Sequence, residues 1–111
     1  MTNYGLAGSC ESHTDPYGYL SGLSLTPERR DAVYFGDYIA TFMAWLGDVP
    51  AGGATGFTYP EYEDVIEPVK GGAAFWTDLS SGNHKDHRSM HAGCPTLSGS
   101  KWILNKCKPN L

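Results

Sequence analysis

Ile39-Ala40-Thr41-Phe42-Met43-Ala44-Trp45-Leu46 is the stretch on which the fold turns. It is rich in β-branched and aromatic residues and bounded by Gly36-Asp37 and Gly47-Asp48, which suits a central strand, with a helix of two turns as the weaker option. Downstream, residues 65–69 are cut by Pro68, as at a sheet edge or strand end, and Ala73-Ala74-Phe75-Trp76-Thr77 follows the Gly71-Gly72 turn as another strand. A last strand is predicted over residues 101–106. Short extended runs broken by Gly, Pro, Asn and Asp predict an all-β protein: a sandwich, a jelly roll or a small barrel. Upstream, a Tyr- and Gly-rich stretch reads as a short helical or irregular insertion around residues 16–37. Within it, Thr26 as cap and Pro27 at the first helical position predict a short helix over residues 25–32.

The chain has 111 residues, 14 of them Gly, and 13% are aromatic; this allows one domain, residues 1–111, with a small aromatic core. A net charge of -4 and a single basic cluster, Glu28-Arg29-Arg30, argue against a surface that tracks phosphates, so nucleic acid is not an expected partner. The longest apolar stretch falls far short of the ~20 residues that span a bilayer. A soluble chain without membrane insertion is expected. Met1-Thr2-Asn3-Tyr4-Gly5 has neither a basic nor an apolar leader character, so no secretory signal is read. Cys10, Cys94 and Cys107 lack zinc spacing, and one disulfide plus a free thiol competes with three reduced thiols.

His13-Thr14-Asp15 places an imidazole and a carboxylate two residues apart, and in an extended segment both point to one face. With a second histidine from a distant strand they would form the facial triad that holds non-haem Fe(II) and leaves positions open. The bland alternative is a polar turn at Asp15-Pro16. Candidates for the second histidine are His84, His87 and His91. His87 and His91 have the spacing of a helical zinc pair, but Gly82-Asn83 and Gly93-Cys94-Pro95 leave no helix for it. In the last strand Lys101, Ile103 and Asn105 share one face. Lys101 therefore either meets solvent or enters the barrel, where a buried ammonium needs an anion such as a dicarboxylate co-substrate.

On these residues the sequence resembles the prolyl 4-hydroxylase family of Fe(II)/2-oxoglutarate dioxygenases, in particular the catalytic region of the collagen prolyl 4-hydroxylase alpha subunit. The resemblance runs from Asn3-Tyr4-Gly5 through His13-Thr14-Asp15, Ile39-Ala40-Thr41, Gly52-Gly53-Ala54-Thr55, residues 71–76 and Asp86. It continues through His91-Ala92-Gly93-Cys94-Pro95 to Lys101-Trp102 and Asn105. It implies a double-stranded β-helix, with His13, Asp15 and His91 as iron ligands and catalytic residues. Lys101 would pair the distal carboxylate of 2-oxoglutarate, assisted by Tyr4, which competes with a reading as a core aromatic. Thr55 and Trp102 are read as packing. The implied reaction hydroxylates peptidyl proline with molecular oxygen and converts 2-oxoglutarate to succinate and carbon dioxide, and ascorbate restores oxidised iron. Location in the endoplasmic reticulum lumen, with the cytoplasm as alternative, and a disulfide isomerase partner are implied in the same way.

Family members commonly carry Arg before the Ile-Ala-Thr strand and Trp after Asn-Lys, where this chain has Tyr38 and Cys107. Those departures weaken the case for a proline-rich substrate and keep open a non-catalytic module that retains the metal site. A cupin-like metal protein without 2-oxoglutarate is a third reading. Cys94 holds the family's Cys-Pro position, which implies a downstream disulfide partner, and Cys107 is the nearest candidate. The chain stops at Leu111 and lacks the family's flanking helices and strands, so a fragment or a minimal version is expected, with strand edges exposed.

Overall fold

In the computed structural model, which describes residues 1–16, 37–82 and 84–109, the deciding stretch is β3 (Tyr38–Trp45), an eight-residue strand. Thr41, Met43 and Trp45 point inward and are buried while Phe42 between them is exposed, the period of two that excludes the helical option. The other strands are β1 (Thr2–Tyr4), β2 (Cys10–His13), β4 (Ala51–Gly52), β5 (Thr55–Phe57), β6 (Asp64–Ile66), β7 (Ala73–Thr77), β8 (His91–Gly93), β9 (Thr96–Ser98) and β10 (Lys101–Pro109). Among the described residues the one helical element is a 3-10 turn, His87–Ser89. The expected insertion and its helix over residues 25–32 lie outside the described residues.

Two four-stranded antiparallel sheets, in the orders β1-β10-β3-β7 and β2-β8-β5-β6, form the sandwich, and β4 and β9 make a two-stranded ribbon. β7 spans the expected residues, and β6 lies at the sheet edge foreseen from Pro68. β10 runs three residues beyond the expected Lys106, because its second half pairs along β3 from Lys106 opposite Phe42 to Pro109 opposite Tyr38. Met43, Trp45, Trp76 and Ile103 are the buried apolar cluster, all from the first sheet, with Phe57 and Ile66 of the second packed against them. This is the small aromatic core that the composition allows.

Of the two readings left open for the cysteines, the structure shows three reduced thiols: Cys10, Cys94 and Cys107 are all free, and no Cys94–Cys107 bridge is formed. Cys107 lies within β10, opposite Thr41 in the first sheet, whereas Cys94 directly follows β8 in the second.

Gly52 and Gly53 have φ of 74° and 72°, a left-handed conformation that side chains disfavour. A Cβ on Gly52 would also collide with the Pro95 carbonyl and sit 2.8 Å from the Leu97 nitrogen, so the backbone contact between β4 and β9 depends on this glycine. The turn delivers Ala54 and Thr55 to the interior. Gly52→Ala is expected to cost about 1–3 kcal/mol from the backbone conformation alone, before any clash. A chemical-denaturation curve checks it, and an unchanged midpoint would remove the constraint.

Candidate metal centre

The second sheet brings the first and last parts of the chain together, because β2 pairs with β8 and His13 lies directly across from His91. Gly93 permits the close approach: a Cβ there would be 3.3 Å from that of Cys10. The two imidazole centroids are 4.5 Å apart. Asp15 sits just beyond the end of β2, in a bend rather than in the extended segment the spacing assumed. Its Oδ1 is nevertheless 3.3 Å from His13 Nε2 and 3.8 Å from His91 Nε2. The donor atoms of His13, Asp15 and His91 all lie within 4.8 Å of one another, the one such grouping among the described residues.

Both imidazoles are oriented by the backbone. His13 Nδ1 lies 2.8 Å from the carbonyl of Glu11, and His91 Nδ1 lies 2.8 Å from that of Ser89. A carbonyl only accepts, so each Nδ1 carries the hydrogen, and each Nε2 is left facing Asp15. The Asp15 hydrogen bond raises the pKa of His13, while burial lowers that of His91, which is 7% exposed. Burial pushes Asp15 up, but hydrogen bonds with His13 and Thr41 outweigh it and hold the carboxyl below its ordinary value. Trp76 and Phe57 pack on the His91 ring at 4.8 Å and 5.9 Å between centroids and fix it from the core side. His84 and His87 are exposed and take no part; His87 opens the 3-10 turn that Asp86 caps.

Lys101 enters the barrel. It is 2% exposed, with Nζ 3.2 Å from Thr55 Oγ1, 3.5 Å from the Ala54 carbonyl and 5.7 Å from the centre of the Tyr4 ring. Among the described residues no carboxylate forms an ion pair with it, and burial lowers its pKa. Tyr4, Cys10, His13, Thr55, His91 and Lys101 line one pocket, so the ammonium shares a cavity with the two imidazoles of the donor group. Thr55, read as packing, is instead a hydrogen-bond partner of Lys101, and Trp102, also read as packing, is 39% exposed on the outer face of its sheet. The one signal for Thr55 in the sequence was its place after the two glycines. Sequence reasoning also gave no role to Thr41 or Asp78. Thr41 Oγ1 touches Asp15, and burial pushes the Asp78 carboxyl up to about 6.

Fold and site together define a jelly-roll protein whose interior gathers two histidines and one carboxylate, with a buried lysine alongside. Over nearly its whole length the chain is related in sequence to the prolyl 4-hydroxylase alpha subunits. Prolyl 4-hydroxylase subunit alpha-2 of Gallus gallus is 40% identical over 106 residues, which is 96% of this chain and 18% of that protein. Subunit alpha-3 of Mus musculus is 39% identical over the same share of the chain. The chain thus spans under a fifth of the length of these relatives, at 18% of each. No family model matches the sequence. Among solved structures, viral collagen prolyl hydroxylase from Paramecium bursaria Chlorella virus-1, in a 2OG complex, superposes with a TM-score of 0.75 at 24% identity. The superposition covers 95% of this chain and 54% of that one, a likeness of fold. The family resemblance and the all-β, jelly-roll expectation are both borne out.

Proposed function

We propose that the chain is the core of an Fe(II)- and 2-oxoglutarate-dependent dioxygenase that hydroxylates peptidyl proline, with succinate and carbon dioxide as co-products. The observation that carries the reading is the buried Lys101, which no described carboxylate pairs, in the same pocket as His13 and His91, with Asp15 Oδ1 within 4 Å of both imidazoles. Two imidazole nitrogens and one carboxylate oxygen suit non-haem Fe(II), and an ammonium lacking a protein counter-ion suits the far end of a dicarboxylate. The donor set and the pocket therefore fit both groups.

In this reading His13 and His91 each offer Nε2 and Asp15 offers Oδ1 to the ion. Lys101 and Thr55 hold the distal carboxylate of the co-substrate, with Tyr4 beside them. Iron and 2-oxoglutarate supply the oxidising power; the protein orients the reactants and shields them. Trp76 and Phe57 keep water from the inner side of His91. The similarity to prolyl 4-hydroxylase alpha subunits supports proline-containing peptide and molecular oxygen as substrates. The same family resemblance is the ground for ascorbate as reductant and a disulfide isomerase subunit as partner. It is likewise the ground for the endoplasmic reticulum lumen as location, with the cytoplasm as alternative. No helix among the described residues is long and apolar enough to cross a membrane.

The test combines two measurements. Anaerobic Fe(II) with 2-oxoglutarate is expected to give a weak visible charge-transfer band, and aerobic incubation with a proline-rich peptide is expected to release succinate and form hydroxyproline. A folded protein that gives the band but no succinate would instead favour the non-catalytic module, the reading that Tyr38 and Cys107 keep open. A protein that binds the metal with no response to 2-oxoglutarate would favour the cupin-like alternative.

A further inference from the structure

Asp15 divides its two oxygens between different neighbours. Oδ1 faces Nε2 of His13 at 3.3 Å and of His91 at 3.8 Å, while Oδ2 receives the Thr41 hydroxyl at 2.7 Å. Thr41 is 1% exposed and lies in the middle of β3, between Trp76 on β7 and Cys107 on β10. Its Oγ1 is also 2.7 Å from Asp78 Oδ2, with the Cys107 sulfur at 3.8 Å as the weakest neighbour. Asp78 is itself fixed: it is fully buried, its N–H donates to the Ile39 carbonyl at 2.9 Å, and its carbonyl accepts from the Asp86 N–H at 3.0 Å.

A hydroxyl has one hydrogen to donate. Two carboxyl oxygens at 2.7 Å are both satisfied when the hydroxyl donates to one and the other, as a carboxylic acid, donates to the hydroxyl. Asp15 interacts with two imidazoles, whereas Asp78 is buried behind it, which makes Asp78 the donor and Asp15 the acceptor. A carboxylate without such a partner turns freely about its last bond and can offer either oxygen, or both, to a cation. Tying down one oxygen removes that freedom, and partners of this kind behind a metal ligand typically govern affinity by 10–100-fold.

We propose that Thr41 is a positioning residue for the metal centre, holding Oδ2 of Asp15 so that Oδ1 alone is presented to the ion, and that Asp78 anchors Thr41 from behind. The inference rests on the reading of His13, Asp15 and His91 as metal ligands. It extends that reading to the Ile39-Ala40-Thr41 strand, whose threonine would otherwise count as one more buried strand residue.

The experiment titrates the whole chain with Mn(II) alone, followed by electron paramagnetic resonance, so that no turnover is required. Thr41→Val, which keeps the shape and removes the hydroxyl, is expected to weaken Mn(II) binding about 10- to 100-fold. Thr41→Ser restores a hydroxyl and Asp78→Asn keeps a donor facing it, so both are expected to stay within about threefold of the parent, below that range. If Thr41→Val does not fold, Thr41→Cys, with its weak thiol donor, takes its place. A residue that merely fills the core would lower the melting temperature and leave Mn(II) affinity alone. Equal affinity in the parent and in Thr41→Val, with binding lost in His13→Ala, overturns the role of Thr41 but leaves the metal centre standing. A parent protein that binds no Mn(II) overturns the metal centre and this inference with it.

Discussion

Replacing His91 by alanine abolishes the charge-transfer band of the Fe(II) and 2-oxoglutarate complex and reduces succinate release to background; this is the largest expected effect of any single substitution in the chain. His91 is the one donor of the three that comes from β8, and its Nε2 is aimed at Asp15 because Nδ1 is tied to the Ser89 carbonyl. Removing it leaves an imidazole and a carboxylate, too few donors to hold the ion against water. The loss should exceed the ~100-fold that outer partners command. The variant also loses a ring packed 4.8 Å from that of Trp76, so near-ultraviolet circular dichroism must accompany the measurement to show that the sandwich persists. A folded variant with an undiminished band would remove the proposed site.

Lys101→Met is expected to separate stability from function. The ammonium is 2% exposed and has the Thr55 hydroxyl, the Ala54 carbonyl and the face of Tyr4 as its surroundings, none of them an anion. A buried cation without a counter-ion is unfavourable, so an apolar side chain of similar length should stabilise the apo protein by about 1–3 kcal/mol. For a chain of this size that is a rise of several degrees in melting temperature, at about 4–8 °C per kcal/mol. The same substitution removes the partner of the co-substrate's far carboxylate, and 2-oxoglutarate affinity should fall on the order of 100-fold. Mn(II) affinity should not change, because Lys101 donates nothing to the ion. Differential scanning calorimetry and a 2-oxoglutarate titration read the two effects separately. A melting temperature that falls, or co-substrate affinity that survives, would contradict the role given to this lysine.

Much of the architecture was legible because local composition and turn residues carry it. The β-branched and aromatic content of β3, the glycine turn before β7 and the proline beside β6 each identify strands without reference to neighbours. Alternation also put Lys101 and Ile103 on one face. It could not say which face was inside, since parity along a strand has no sign until a second sheet covers one side. The cysteines illustrate the same limit: count and spacing left one bridge and three free thiols both open, and only the folded chain shows all three free. Thr55 looked like packing because a threonine in a strand usually is; its partner, Lys101, comes from a distant strand.

The amino-acid sequence by itself determined that this is a small β-protein with an aromatic core, that His13 and Asp15 lie two residues apart, and that His84, His87, His91 and Lys101 all fall in the last third of the chain. Local spacing suffices for each of these. Spacing left the second histidine and the facing of Lys101 open, and only the resemblance pointed to His91 and to an inward Lys101; the tertiary structure sets His91 opposite His13, turns Lys101 inward and puts Thr41 and Asp78 behind Asp15. Those outcomes depend on which strands pair and in what register, and register is fixed by the burial of whole faces rather than by any short run of residues.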